Sequence, residues 1–205
     1  MHLWAEPILV SFADLSSIHP ELVQTQYEIK KMQNLQIATS IWHPRISAFL
    51  IGERNKQFFF RSDSLHIAIQ RSLQFLYILN AQNKKILFVT TRARFEPLLQ
   101  ETANRLNQPY LAGKWVGGQF TNQRNRPDCI VLLDPTNDIL REAAAVKIPV
   151  ISLFDSNSST IDAKPHNIKN LDSQWVHYPI PGPNTSFRFV YFFLDLIVKT
   201  LSVQK

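Results

Sequence analysis

Hydrophobic and polar residues are arranged along this chain in blocks that predict strands and helices in turn. Three continuous apolar runs, within KKILFVTT (84–91), DCIVLLD (128–134) and PVISLFD (149–155), predict strands that are buried on both faces of a sheet. Between them, apolar residues recur at helical spacing over about 94–106 and 138–146. Strands and helices that alternate with short links predict an α/β fold, a mostly parallel sheet with helices on both faces.

Further elements are predicted before the first of these strands. ISAFLIG (46–52) and QFFFRS (57–62) predict two strands around the polar turn ERNK. Asp63 or Ser64 can then cap a helix that extends to about Asn80, because each offers a side-chain oxygen to the first free amides.

The ends and the insertions of the chain bear on its domain organisation. Residues 18–35 predict an early helix, so that residues 1–37 form an N-terminal helical extension. The polar stretch 156–174 has no periodicity and predicts an inserted surface loop. Because no repeat or second boundary interrupts the pattern, residues 1–205 are predicted to form a single domain.

The C-terminal part combines a proline-rich link with a strongly aromatic segment. YPIPGPN (178–184) predicts a rigid turn, and a final helix is predicted from Thr185 to about Leu201. The apolar run FVYFFLDLIV is short and is interrupted by Asp195, so a buried terminal helix is predicted and no membrane partner. As an alternative, this helix could dock on another protein through its aromatic residues Phe189, Phe192 and Phe193.

Positive charge is concentrated in one segment of the chain. The chain has 22 Lys and Arg against 16 Asp and Glu, a net charge of +6. Residues 84–126 hold eight of the basic residues and two of the acidic ones, so this segment carries the whole net charge and the remainder is neutral. This distribution is typical of a protein that binds a nucleic acid.

The basic segment ends in PYLAGKWVGGQFTNQRNR (109–126), a glycine-broken turn without acidic residues. Gly117 and Gly118 permit φ > 0 and a close backbone approach, and Trp115 offers a flat face for stacking. Basic and amide side chains here suit a phosphate backbone, and the candidate contacts are Lys114, Asn122, Arg124 and Arg126. The alternative is a tight connection in which Trp115 packs into the core and the charges are only solvated.

Other candidate RNA contacts are basic residues in the predicted links and at the predicted strand ends. The turn ERNK places two of them together at a loop tip, where solvated charges are an equally good interpretation. The full set of these further candidates is Arg45, Arg54, Lys56, Lys84, Lys85, Arg92 and Arg94.

A nucleotide- or phosphate-binding enzyme is the alternative that the α/β fold raises. The chain has five glycines and contains neither GxGxxG nor GxxxxGK[ST], the loops that cradle phosphates. Arg92 and Arg94 could bind phosphate and Asp134 could act as a carboxylate catalyst. However, Asp134 and Asp155 each precede turn formers, which favours turn stabilisation. We therefore expect no catalysis, no cofactor and no small-molecule substrate.

Cysteine and histidine usage excludes the common metal sites. The single cysteine, Cys129, lies in the apolar run CIVLL, which predicts a buried strand cysteine and not a nucleophile. The six histidines share no HxxxH or HExxH spacing, so the sequence predicts no metal site.

Six blocks in this sequence resemble a known family in both order and spacing. They cover about residues 38–200 and are WHPRISAFLIGERN, KKILFVTTR, KWVGGQFTN, PDCIVLLDP, EAAAVKIPVISLFDSN and YPIPGPN. In this succession the chain resembles the small-subunit ribosomal protein two (S2) family. The resemblance implies a flavodoxin-like three-layer domain without catalysis. It also implies that the chain binds small-subunit rRNA and neighbouring small-subunit proteins and supports subunit assembly and translation.

The resemblance also assigns residues by position. Its first block is matched by Trp42, Pro44, Arg45, Gly52, Arg54, Asn55 and Lys56, and its central block by Trp115, Gly117, Gly118, Thr121 and Asn122. Bacterial members carry a coiled-coil hairpin after the central block, whereas here only QRNR separates Asn122 from Pro127. This loss, the 156–174 insert and a Gly-poor composition imply an organellar member. We expect a mitochondrial ribosome, with a plastid ribosome as the alternative.

Overall fold

The computed structural model describes most of the chain, namely residues 36–38, 49–54, 57–122, 125–155 and 175–202. These residues form a five-stranded parallel sheet with helices on both faces and a separate three-stranded antiparallel sheet. The predicted early helix over 18–35 and the predicted insert over 156–174 lie outside the described residues.

The antiparallel sheet consists of β1 (Gln36–Ala38), β2 (Leu50–Arg54) and β3 (Gln57–Phe60) in the order β1-β3-β2. Strands β2 and β3 confirm the predicted pair, but β2 continues through Glu53 and Arg54, which were predicted to lie in the polar turn. Strand β1 was not predicted, and it includes residues 36 and 37, which the sequence had assigned to the helical extension. Three residues are too few for a periodic pattern, so this strand is defined only by its pairing with β3.

The parallel sheet has the strand order β5-β4-β6-β7-β8, and every neighbouring pair is parallel. Its strands are β4 (Ile86–Thr90), β5 (Tyr110–Ala112), β6 (Cys129–Leu132), β7 (Val150–Phe154) and β8 (Tyr178–Pro181). Counted from β4 as the first strand, this order is 2-1-3-4-5, which is the flavodoxin-like order. The predicted α/β class and the flavodoxin-like sheet are therefore confirmed.

Strand β8 corrects the prediction that YPIPGPN is only a turn. Pro179 and Pro181 pair in parallel register with Ser152 and Phe154 of β7. A proline cannot donate to a sheet, but β8 is an edge strand, where an amide on the outer side has no ladder partner to lose. The edge position therefore accommodates a sequence that reads as a turn.

The helices are α1 (Ser62–Ala81), α2 (Glu96–Leu106), α3 (Asn137–Val146) and α4 (Phe187–Ser202), and a short 3-10 turn (Ala93–Phe95) precedes α2. Helix α1 begins before the predicted caps, and no side chain caps its first turn. Arg61 lies between β3 and α1, and its amide donates to the Phe49 carbonyl at 2.8 Å, which joins the helix start to the residue before β2. Asp63 instead lies in the first turn, where its charge is favourable.

The two faces of the sheet are covered differently. Helices α1, α2 and α4 cover one face, where Phe88 is fully buried among their apolar side chains. Helix α3 and the segment 113–122 cover the other face, where Val89 and Phe120 are buried together. Cys129 is fully buried in β6, as predicted, and its burial raises the pKa of the thiol.

Helix α4 is part of the core. Phe189 and Phe193 are fully buried and Phe192 is partly buried against the same cluster, so two of the three aromatic anchors proposed for external docking are used inside the domain. Among the helices that the structure describes, none is long and apolar enough to span a membrane. At the start of α4, a Cβ on Gly182 would lie 2.3 Å from Cζ of Phe189, so only glycine allows this ring to lie across the β8-to-α4 junction.

Candidate RNA interface

The basic segment does not form one surface, because the parallel sheet divides it. Lys84 and Lys85 precede β4, whereas Arg92 and Arg94 follow it. A five-residue strand is roughly 17 Å long, so these pairs lie at opposite ends of the sheet. We call the end where the parallel strands begin the amino end, and the end where they finish the carboxyl end.

At the carboxyl end, Asp134 is tied to the end of β4. Its buried carboxylate accepts hydrogen bonds from the Thr90 hydroxyl at 2.8 Å and from the Thr91 amide at 3.0 Å, and the Thr91 hydroxyl also donates to it. Asp134 follows β6, so these bonds join the ends of two neighbouring strands. Asp134 therefore has a structural role between the ends of β4 and β6, and not in the turn at Pro135 for which its sequence context was interpreted.

Arg92 and Arg94, the two cations after β4, are also engaged within the domain. The half-buried Arg92 guanidinium donates to the backbone carbonyl of Asn184 at 3.1 Å and to its side-chain oxygen at 3.4 Å. The Arg94 guanidinium lies 4.5 Å from the ring centroid of Phe95, a cation–π contact, although Arg94 itself is exposed. Arg92 therefore fastens the end of β4 to the end of β8.

These contacts fill the place where flavodoxin-like folds hold ligands. In this fold ligands bind outside the carboxyl ends of the strands at the switch point, which here lies between β4 and β6. That position contains the buried carboxylate of Asp134 and the threonines that donate to it. A carboxylate there repels phosphate, so this geometry does not support the phosphate site considered for Arg92 and Asp134.

The amino end presents exposed lysines. Lys84 is exposed and makes an ion pair with Asp128 at 3.5 Å. The Lys85 side chain is exposed, while its backbone amide donates to the Asp128 carboxylate at 3.0 Å. Asp128 thus fixes the backbone before β4 and β6, and it offsets only one of the two lysine charges.

One basic residue at this end was missed by the sequence analysis. Lys147 follows α3 in the left-handed conformation, with φ of 60°, and it is exposed three residues before β7. Because β7 is parallel to β4 and β6, Lys147 lies at the same end as Lys84 and Lys85. Its position could have been predicted by aligning the strand starts, but it lies outside the net-basic segment on which the charge argument concentrated.

The central block KWVGGQFTN returns the chain from the carboxyl end of β5 towards the amino end of β6. Phe120 is fully buried and Trp115 packs against it with ring centroids 4.9 Å apart, so Trp115 is a half-buried core residue and not an open stacking platform. Gly118 has φ of 92°, and the Asn122 amide donates to its carbonyl at 3.0 Å. The turn therefore needs glycine at 118 and leaves Lys114 and Asn122 exposed.

The same turn is fastened to α3 by Glu142. One oxygen of its carboxylate, Oε1, accepts from the Phe120 amide at 2.6 Å, the Thr121 amide at 3.0 Å and the Thr121 hydroxyl at 3.3 Å. Partial burial acts to raise the pKa of the Glu142 carboxyl. Hydrogen bonds from the backbone of Thr121, Phe120 and Gly118 and from the Thr121 hydroxyl more than offset this, and the pKa is lowered.

The remaining candidate contacts are described only in part. Arg126 is exposed and its guanidinium lies 3.5 Å from the Thr121 carbonyl. Arg54 is the last residue of β2, and its side chain is outside the description. The predicted contacts Arg45, Lys56 and Arg124 lie outside the described residues.

The matches to known proteins cover the six sequence blocks named above. The profile of the family described as Ribosomal protein S2 matches residues 31–126 and 123–203. A small ribosomal subunit protein uS2 of a Psychrobacter species is 33% identical in an alignment that covers 82% of this chain and 79% of that protein. A uS2 of Marinobacter nauticus is 24% identical over 79% of this chain and 80% of that protein.

An organellar protein is among the relatives. A small ribosomal subunit protein uS2m of Marchantia polymorpha is 23% identical in an alignment that covers 77% of this chain and 82% of that protein. The family profile spans both the antiparallel sheet and the whole parallel sheet described above. From its sequence, its strand order and these matches together, the chain belongs to the ribosomal protein S2 family.

Proposed function

We propose that this protein is a structural constituent of the small ribosomal subunit. In this role it binds small-subunit rRNA, contacts neighbouring small-subunit proteins and supports subunit assembly and translation. The observation that carries the proposal is the match of the S2 family profile to residues 31–126 and 123–203, with relatives named small ribosomal subunit proteins. The rigid parallel sheet then acts as a carrier that holds basic side chains in fixed positions.

The rRNA contacts are best placed at the amino end of the sheet and on the central turn. Exposed cations there can neutralise phosphates without first breaking contacts inside the domain. The described residues that meet this condition are Lys85, Lys114 and Lys147. Two further exposed cations lie beside them, Lys84, which pairs with Asp128, and Arg126, whose guanidinium lies 3.5 Å from the Thr121 carbonyl. Asn122 adds an exposed amide beside them.

A catalytic role receives no support from the carboxyl end of the sheet. The groups that an enzyme would use there, Arg92 and Asp134, are bonded to Asn184 and to the threonines at the end of β4. We therefore propose a structural protein and not an enzyme.

The ribosome in question is proposed to be mitochondrial. The uS2m relative from Marchantia polymorpha supports this location. The short QRNR link in place of a hairpin and the Gly-poor composition point in the same direction. A plastid ribosome is the alternative outcome of the test.

The test is sedimentation of the tagged protein from its own cells. Mitochondria and plastids, where present, are separated, lysed at low salt and run on sucrose gradients. We expect the protein in the small-subunit peak of the mitochondrial fraction, with release as the salt concentration rises, because phosphate contacts weaken steeply with salt. Recovery only as a free protein whose sedimentation ignores salt would contradict the proposal, and a plastid small-subunit peak would change the location.

A further inference from the structure

We propose that Glu142 is a positioning residue for RNA binding, which holds the turn formed by residues 117–122 in the shape that presents its exposed side chains. The inference rests on the proposed function, because it concerns how that RNA surface is kept in place. It extends the function to a residue of α3 whose carboxylate binds the turn and that the sequence pattern did not single out.

The geometry is that of an anion held by backbone amides. Oε1 of Glu142 receives three donors from two consecutive residues of the turn, at 2.6, 3.0 and 3.3 Å. Successive amides that converge on one point form the kind of concavity that binds phosphate in other proteins. Here an internal carboxylate fills it, so the amides of Phe120 and Thr121 are unavailable to an RNA phosphate.

Side chains are then left as the groups that face a partner. Thr121, Asn122 and Arg126 are exposed around the turn, and the Arg126 guanidinium lies 3.5 Å from the Thr121 carbonyl. The backbone of Thr121 is thus held from its amide by Glu142 while its carbonyl faces Arg126. A shift of Thr121 would move both Asn122, the next residue, and the partner of Arg126.

Two residues, Phe120 and Glu142, therefore hold this turn in place. Phe120 is fully buried between α3 and the sheet and fixes how deeply the turn sits. A single buried ring leaves the following residues free to rotate, whereas the Glu142 carboxylate binds the amides on both sides of the Phe120 α-carbon. Glu142 lies in the middle of α3, and this helix is packed on the sheet. The turn is therefore bonded to a rigid element.

The direction of the change in RNA affinity separates this proposal from a simple charge effect. Removing a carboxylate near a basic surface strengthens RNA binding if charge alone matters. Loss of positioning weakens binding instead. The two explanations predict opposite changes for Glu142→Ala.

The experiment compares Glu142→Ala, Glu142→Gln and Glu142→Asp with the wild type. Gln keeps an acceptor oxygen at the same reach and loses the charge, whereas Asp keeps the charge and is one methylene too short. Glu101→Ala is the matched control, because it removes an exposed helical glutamate that pairs with Arg105 on α2. Each protein is checked for cooperative thermal unfolding. Amide hydrogen exchange is then measured at Phe120 and Thr121, and filter binding is measured with transcribed full-length small-subunit rRNA from the same source.

We expect Glu142→Ala and Glu142→Asp to raise amide exchange at these two residues about tenfold and to weaken rRNA binding about fivefold, since hydrogen bonds to a charged acceptor are lost. Glu142→Gln and Glu101→Ala should stay within about twofold of the wild type in both measurements. If Glu142→Ala does not fold, Glu142→Asp decides the question.

The proposal is overturned if exchange at Phe120 and Thr121 is unchanged in Glu142→Ala and Glu142→Asp. It is also overturned if exchange rises while rRNA affinity is unchanged or greater. Failure of the wild type itself to bind the rRNA would refute the proposed function, and this positioning role in RNA binding with it. The exchange data would then still report whether Glu142 holds the turn.

Discussion

The two ends of the parallel sheet use their polar residues in opposite ways. At the carboxyl end, Asp134 binds Thr90 and Thr91, and Arg92 binds Asn184, so these side chains are partners of one another. At the amino end, Lys85 and Lys147 are exposed. The carboxyl end is therefore closed by internal bonds, whereas the amino end offers charge to a partner.

This difference shows how a fold that commonly binds small ligands can serve as a carrier. The switch point between β4 and β6 is the usual ligand site of a flavodoxin-like sheet. The ends of these two neighbouring strands also need contacts that hold them together there. In this protein Asp134 joins them, which stabilises the sheet and removes the site at once. We propose that the partner surface lies on the amino end and the central turn.

The largest expected effect comes from Asp134→Ala at the closed end. It leaves the Thr90 and Thr91 donors without their buried acceptor, so we expect the free energy of unfolding to fall by about 2–4 kcal/mol. Urea unfolding followed by circular dichroism measures the loss. The affinity of the folded fraction for rRNA should change by less than about twofold. A large loss of affinity with little loss of stability would mean that the closed end is the binding surface.

An intermediate effect is expected when the open end is neutralised. Replacing Lys84, Lys85 and Lys147 together with Gln should weaken rRNA binding about tenfold or more and reduce the slope of log K against log salt by about 2, because each lost phosphate contact removes about 0.7–0.9 from that slope. Filter binding at several salt concentrations measures both quantities. Stability should change by less than about 0.5 kcal/mol, since the three side chains are exposed.

The matched control for the lysine variant is the double replacement of Arg92 and Arg94 with Gln at the carboxyl end. It removes two cations of the same net-basic segment. Compared with the lysine variant, it should lower the free energy of unfolding more and the salt slope less, because Arg92 is bonded to Asn184. Equal loss of salt slope in the two variants would mean that the ends of the sheet do not differ in function.

The smallest expected effect is an acid dependence of the central turn. Because the pKa of Glu142 is lowered in the folded protein, its stabilising contribution is complete above the pKa of an unfolded glutamate, about 4.3, and is lost as the pH falls through the lower folded value. Urea unfolding of the wild type and of Glu142→Gln should therefore differ most above about pH 5 and converge in more acidic buffer. A difference that grows as the pH falls would contradict this assignment.

Much of the sheet could be predicted because its central strands are buried on both faces. The runs ILFVT, CIVL and VISLF are apolar at every position except for single hydroxyl residues, and such runs are typical of parallel strands. The edge strands β5 and β8 escaped prediction for physical reasons. One has three residues, and the other contains two prolines that only an edge tolerates.

The candidate site was predictable as a set of charges but not as a surface. Counting residues located the basic segment, yet the parallel pairing decides that Lys85 and Arg92 lie at opposite ends and that Lys147 joins Lys85. The contact of Glu142 with Phe120 and Thr121 has a sequence separation of about twenty residues and no local pattern. Such contacts arise from packing, which a single sequence does not display.

The close fit between Gly182 and Phe189 bears on the folding of the nascent chain. Strand β8 and helix α4 are the last described elements to be synthesised, and they supply both the outer edge of the sheet and the cover over α1 and α2. Until they are added, Leu73, Phe88 and Leu99 lack that cover, and partly covered cores of this kind are prone to aggregate. Because the Phe189 ring lies directly on Gly182, the strand end and the helix pack against each other at their junction. The core is therefore covered only after residues 178–202 have been synthesised.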